Sequence, residues 1–179
     1  MKYCQRCGSE LTEQTETKNV CAAQRCGYVQ YKNPKAAVGV VLYTDDDKLV
    51  LTRRAFEPFA GEMDIIGGFL DRGENFEEAL SRELQEETGC SVDELHDLRY
   101  LTSFHTWYPW MGEDESVTSV VFLAKIDDAT KLTPTDDVAE FVMYDSNTAS
   151  EAEFHGASGI WRVVDAAVRQ LHHEKNPTE

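Results

Sequence analysis

Basic residues are scarce in this chain: 17 Lys plus Arg face 33 Asp plus Glu across 179 residues, a formal net charge of −16 at pH 7. Such a surface repels polyanions, which disfavours a long RNA or DNA partner and an anionic membrane. A small phosphorylated substrate arriving with cations stays compatible. Long apolar runs are lacking too, with nothing near the roughly 18–20 residues of a membrane span. No basic-then-apolar leader opens the chain, so a cytoplasmic location is expected. No internal repeat is visible. Cysteine is limited to five residues, and four of them lie near the amino terminus.

Those four fall in two pairs, Cys4-Gln5-Arg6-Cys7 and Cys21-Ala22-Ala23-Gln24-Arg25-Cys26. Gly8 and Gly27 follow the second cysteine of each pair, as tight knuckle turns require. Four soft sulfurs suit a tetrahedral structural zinc and leave no open position for catalysis. Residues 1–33 hold too few apolar side chains to bury a core alone, so a metal would have to stabilise them. The competing reading is two disulfides in a secreted protein. The missing leader and the unpaired Cys90 count against it.

The densest signal lies further along. Arg82-Glu83-Leu84-Gln85-Glu86-Glu87-Thr88-Gly89-Cys90 places three carboxylates at i, i+3 and i+4, on one helical face with Cβ atoms about 5–6 Å apart. Each like-charge pair then costs roughly 0.7 kcal/mol in water and about 3 kcal/mol at an effective dielectric of 20. A helix accepting this either points at bulk solvent or holds divalent cations, and carboxylate oxygens suit magnesium and manganese. Its ends are marked by Asn75 with Glu78, an N-cap and capping-box partner, and by Gly89 as the left-handed stop. Phe76, Ala79, Leu80 and Leu84 form the apolar stripe. Met63-Asp64-Ile65-Ile66 ahead of it reads as a short strand and Gly67–Gly73 as a loop.

With Gly68 and Glu74 upstream, these residues resemble the Nudix box, G-x(5)-E-x(7)-R-E-U-x-E-E-x-G-U, where U is a bulky apolar residue; Cys90 takes the last position. Leu49–Arg54 and Phe56–Gly61 resemble the strand and loop that precede the box, with Met63 and Ile66 where many members carry Trp and Pro. The resemblance covers about residues 34–172 and implies hydrolysis of a nucleoside diphosphate linked to another moiety. It also implies that Glu83, Glu86, Glu87 and the Gly67 carbonyl bind Mg2+ or Mn2+. Arg82 would orient Glu83, and Glu74 would brace the loop. The proton acceptor would be Glu83 or a later acid, Asp136 or Asp137; Glu113, Asp114 and Glu115 form a further acidic loop. Gly27–Pro34 is similar to the linker of zinc-ribbon members, including NADH and ADP-ribose pyrophosphatases, which implies Zn2+ on Cys4, Cys7, Cys21 and Cys26. Members with ribbons often form homodimers.

The coarse order is a ribbon, strands at 36–43 and 48–53, the box, an extended segment near 97–105, strands at 116–126 and 140–144, and a closing helix at 160–171. This indicates an α/β (α+β) fold with a mixed β-sheet sandwiched between helices. The polar tail 173–179 is expected to fray. Arg53 and Arg54 at a strand end are candidate phosphate contacts. His105–Gly112 gathers Trp107, Tyr108 and Trp110 in an expected loop, where Trp107 and Tyr108 could stack on a substrate ring or meet a second copy. Ser103–Pro109 resembles the NADH-pyrophosphatase signature Ser-Gln-Pro-Trp-Pro-Phe-Pro only loosely. His105 could serve the substrate or the acid–base step, and Phe154-His155-Gly156 could wall the pocket. Rival readings are a nucleoside triphosphate pyrophosphatase and a catalytically silent nucleotide-sensing module.

Overall fold

The computed structural model describes residues 2–148, 150–151, 154 and 159–175. The chain divides into two units, Met1–Pro34 and Lys35–Glu179. In the first, β1 (Leu11–Thr15) and β3 (Val29–Tyr31) flank β2 (Lys18–Cys21) in an antiparallel sheet. Cys4 and Cys21 are its buried residues among those described. Among the described residues no hydrophobic cluster lies in this unit.

The second unit is built on β4 (Lys35–Tyr43), whose apolar run is buried on both faces. A strand covered on both sides needs no polar alternation, which is why it reads as a continuous hydrophobic stretch. β4 pairs in parallel with β9 (Glu113–Ile126) and antiparallel with β5 (Lys48–Arg54) and β7 (Ile66–Phe69). β8 (Leu95–Trp110) and β10 (Val138–Asp145) close the two sides, in the order β10-β5-β4-β9-β8, while β6 (Met63–Asp64) adds to β5. The sheet is therefore mixed.

Alternate residues of β4 feed two cores. Val38, Val40 and Leu42 pack with Val50, Ala124 and the stripe Ala79, Leu80 and Leu84 of α1 (Phe76–Thr88). Val41 and Tyr43 pack with Leu49, Leu51, Val121 and Leu123 against Ile160, Val163, Val164, Ala167 and Leu171 of α2 (Ile160–Lys175). One helix thus covers each face. Burying each such Leu or Val side chain contributes about 1.5–3 kcal/mol. Among the described residues no helix is long and apolar enough to cross a membrane.

Three local expectations change. His105–Trp110 is not a loop but the end of β8, and the acidic residues Glu113–Glu115 begin β9, paired Trp110↔Glu113 and Tyr108↔Glu115. The chain reverses at Met111 (φ 50) and Gly112 (φ 83), the positive-φ pair that a two-residue hairpin needs. Gly67–Phe69 is strand, aligned with β4 so that Gly39 faces Gly67. Finally, α2 runs past Leu171 to Lys175. Its last turn carries His172, His173 and Lys175, which suit a helix C-terminus, and both Glu174 carboxylate oxygens accept from Arg99 Nη2, at 2.8 and 3.0 Å. Residues 176–179 of the expected tail, and His155 and Gly156 of the expected pocket wall, lie outside the described residues.

Candidate active site

The caps set where α1 begins and ends. The Asn75 side chain accepts from Glu78 N at 2.8 Å, Glu78 accepts from Asn75 N at 2.9 Å, and Gly89 closes the helix at φ 72. That phase turns Leu80 and Leu84 into the core and aims Glu83 and Glu87 at the Gly67-Gly68 backbone. Glu87 accepts from Gly67 N at 2.8 Å. A Cβ on Gly68 would stand 2.4 Å from Glu83 Oε1, and one on Gly67 would stand 2.2 Å from the Val38 carbonyl, at a φ of 145. Gly68 thus makes room for the Glu83 carboxylate, and Gly67 for the close approach of β7 to β4.

Arg82 organises the outer side. Its Nε and Nη2 grip Glu74 at 2.8 and 2.9 Å, Nη2 also donates to the Phe69 carbonyl at 2.9 Å, and Nη1 lies 2.7 Å from Glu83 Oε1 and 3.1 Å from Glu86 Oε2. These bonds, with a backbone donation from Asp71, hold the Glu74 carboxyl down at about 2. The same acids push the Arg82 pKa further up. The like-charge cost of the acidic face is thus partly relieved by a cation already seated between Glu83 and Glu86.

Further in, the acids are strained towards protonation. Burial pushes Glu87 up to about 8, with Glu83, Asp64 and Asp137 adding repulsion. Burial also raises Glu83, opposed by Arg82 and reinforced by Glu86 and Asp136. These acids reach the site from separate elements. Asp64 sits at the end of β6. Asp136 and Asp137 are brought in by a loop fastened to the end of α1, where Thr133 N and Thr135 N donate to the Thr88 and Glu87 carbonyls at 2.9 and 3.1 Å. The Asp137 carbonyl then accepts from Ala55 N at 2.8 Å. The charge repulsion on Glu83 and Glu87 is of the kind a hard divalent cation would relieve. Glu86 stays half exposed on the rim.

Beside the glycine pair opens a cavity of about 190 Å³. Arg54, Asp64 and Asp137 supply its charged lining, and Phe59, Phe69, Phe104, Trp107 and Tyr108 its rings. Of the expected substrate contacts, Arg54, Trp107 and Tyr108 line it. Arg53 does not; it pairs with Glu140 at 2.8 Å and with the Gly61 carbonyl at 2.7 Å. His105 bonds Ser116 at 2.8 Å, away from the cavity lining. Asp64 was not singled out from the sequence. Its one signal is an acid inside the apolar run Met63–Ile66, and burial raises it against the pull of Arg54.

In the first unit the four thiols converge. All four sulfurs lie within 4.8 Å of one another, the one such set of His, Cys, Asp or Glu groups among the described residues. Cys4 and Cys26 are 3.8 Å apart and Cys7 and Cys21 3.5 Å, close to the about 3.8 Å edge of a tetrahedron with 2.3 Å zinc–sulfur bonds. No disulfide forms among them. The wider second loop still closes, since Cys26 N donates to the Ala23 carbonyl at 2.9 Å. Hydrogen bonds from Ser9 pull the Cys7 thiol down to about 6, while burial and the neighbouring thiols push Cys21 up to about 12 and raise Cys26, so a metal would have to displace the protons of those two. The donor set fits zinc.

The NUDIX domain model matches residues 33–167, and the chain belongs to the Nudix hydrolase family. Among its relatives, the NAD-capped RNA hydrolase NudC of Haemophilus influenzae (strain PittGG) is 33% identical over 110 residues, 61% of this chain and 39% of that protein. The chain thus spans about two fifths of that relative's length. A NUDIX hydrolase from Nitrosomonas europaea shares the fold at a TM-score of 0.69 and 21% identity, over 97% of this chain and 93% of that one. The NUDIX domain of Shewanella oneidensis NrtR, crystallised with ADP ribose, shares it at a TM-score of 0.62 and 19% identity, over 79% and 90%.

Proposed function

We propose that the chain cleaves the pyrophosphate bond of a nucleoside diphosphate derivative, with ADP-ribose or an NADH-like dinucleotide as substrate and two monophosphates as products. One observation carries the reading: Glu83 and Glu87 of α1 face the Gly67-Gly68 backbone, with Asp137 of the 133–137 loop repelling Glu87, beside a cavity walled by aromatic rings. In this reading Glu83, Glu86, Glu87 and the Gly67 carbonyl hold Mg2+ or Mn2+. When bound, such cations neutralise charge on a pyrophosphate and lower the pKa of water. Arg82 fixes the Glu83 carboxylate, and Glu74 fixes Arg82 through its two-point grip. Asp137, which lines the cavity, is the proton acceptor assigned here, poised to take a proton from attacking water. Tyr108 and Trp107 offer faces and edges to a base or nicotinamide ring. Cys4, Cys7, Cys21 and Cys26 hold a structural zinc.

The Haemophilus relative is named for NAD-capped RNA. A net charge of −16 opposes an RNA polymer and favours the free dinucleotide. The test is a panel of NADH, NAD, ADP-ribose, diadenosine polyphosphates, dNTPs and NAD-capped RNA with magnesium, products resolved chromatographically. AMP from NADH or ADP-ribose is expected, with capped RNA slower. Pyrophosphate released from dNTPs, with no cleavage of the diphosphate derivatives, would overturn the substrate assignment.

A further inference from the structure

Three walls of the cavity meet on one guanidinium. Arg54 Nε donates to the Pro58 carbonyl at 2.8 Å, Nη1 to Asp64 Oδ2 at 3.0 Å and Nη2 to the Tyr108 hydroxyl at 3.2 Å. These partners belong to the loop after β5, to β6 and to β8, the last 54 residues away in sequence. The Arg54 and Asp64 side chains are only 14% and 20% exposed, so their pairing is shielded from solvent. Asp64 is itself fixed, since its Oδ1 accepts from Ile65 N at 2.8 Å. Tyr108 in turn meets Phe59 and Phe69 edge-on, with ring centroids 6.2 and 6.1 Å apart, and lies nearly parallel to Trp110 at 6.5 Å.

Each guanidinium nitrogen therefore already donates to a protein acceptor, three of the five N–H groups being engaged, in directions that a planar fork satisfies and a lysine ammonium does not. We infer that Arg54, oriented by Asp64, is a positioning residue that fixes the Tyr108 wall, and not the phosphate contact its place at a strand end suggests. It governs affinity for the ring-bearing part of the substrate and leaves bond cleavage to the acids around Gly67-Gly68. The inference rests on the reading under Proposed function. Tyr108→Phe keeps the ring and deletes only the hydroxyl that Arg54 binds. Arg54→Lys keeps the charge and loses the fork. Asp64→Asn keeps the shape and loses the countercharge.

The experiment measures initial rates with ADP-ribose and magnesium for the wild type and all three variants, together with calorimetric ADP-ribose binding without added magnesium. Tyr108→Phe is expected to raise KM and Kd about fivefold, the loss of one hydrogen bond, and Arg54→Lys and Asp64→Asn at least as much, while kcat stays within about twofold. Should Asp64→Asn fail to fold, Tyr108→Phe and Arg54→Lys still decide. A fall in kcat at unchanged KM overturns the inference, because Arg54 would then act on the reacting phosphates. Unmoved constants in Tyr108→Phe overturn it as well, with wild-type turnover leaving the functional reading intact. Wild type that neither cleaves nor binds ADP-ribose overturns both.

Discussion

The two units of this chain use side chains of metal-ligand type for opposite purposes. In residues 2–34 the four thiols occupy the place of a hydrophobic core, since Cys4 and Cys21 are the buried residues there. In the larger unit two apolar clusters hold the fold, and acids are brought together in spite of their repulsion. Sulfurs at tetrahedral spacing fit the scaffold role proposed for the thiols, and carboxylates pushed towards protonation fit the catalytic role proposed for α1. A ligand set can be classed by asking what would remain folded without the ion.

The sharpest way to break that contrast is to remove the zinc proposed for the four thiols. Structural zinc contributes about 10–16 kcal/mol in small domains at neutral pH. Chelation or Cys4→Ser should therefore abolish backbone amide protection in β1–β3, followed by hydrogen exchange, while β4, β5 and β9 stay protected. Purified protein should carry about one zinc per chain by metal analysis. A protected, zinc-free first unit would erase the distinction.

The second prediction exchanges roles. Glu83→Gln should lower kcat by about a hundredfold to a thousandfold, the loss expected for one preorganised electrostatic partner. The scanning-calorimetry transition of the larger unit should scarcely move, because the apolar stripe of α1 is untouched. Unfolding with proportionate loss of activity would make Glu83 a structural residue.

A third prediction uses pH. Glu87 rises from 4.5 to about 8 on folding, so between those values the folded state binds more protons than the unfolded one. Its contribution is full below pH 4.5 and is lost as pH rises through about 8. Glu74 works in the other direction: lowered to about 2, it stabilises above pH 4.5 and its contribution is lost as pH falls towards 2. Urea midpoints of protein without added divalent cation should thus fall from pH 6 to pH 8.5. Manganese should restore them more at pH 8.5, and Glu87→Gln should flatten the slope. An identical slope in Glu87→Gln would assign the effect elsewhere.

The smallest expected effect is local. Asn75→Ala removes the cap of α1 and should cost about 1 kcal/mol by urea unfolding, with little change in kcat. A large kcat loss would mean that the helix phase, and with it the aim of Glu83 and Glu87, depends on this one cap.

What could be read from sequence follows the range of the forces. The caps at Asn75 and Gly89 act within four residues, so α1 was legible to its ends. The two-sided burial of β4 shows in its unbroken apolar run. His105–Trp110 reads as a loop because Pro and clustered aromatics suggest one, whereas β8 lies at the side of the sheet, where a proline at position 109 is tolerated. Its reversal at Met111-Gly112 places a methionine at positive φ, which composition does not announce. Asp64 escaped notice because the partner that gives it meaning, Arg54, is joined through Tyr108 to a strand far along the chain. The acidic triplet of α1 was legible as a pattern. That Arg82 would stand between Glu83 and Glu86 needed coordinates.

Manganese binding followed by electron paramagnetic resonance, alongside turnover of ADP-ribose in the same samples, tests the central claim most directly. Wild type should bind manganese and cleave the substrate in proportion to occupancy, and Glu83→Gln, Glu86→Gln and Glu87→Gln should each weaken both. Wild-type manganese affinity and full turnover in all three variants would contradict the account.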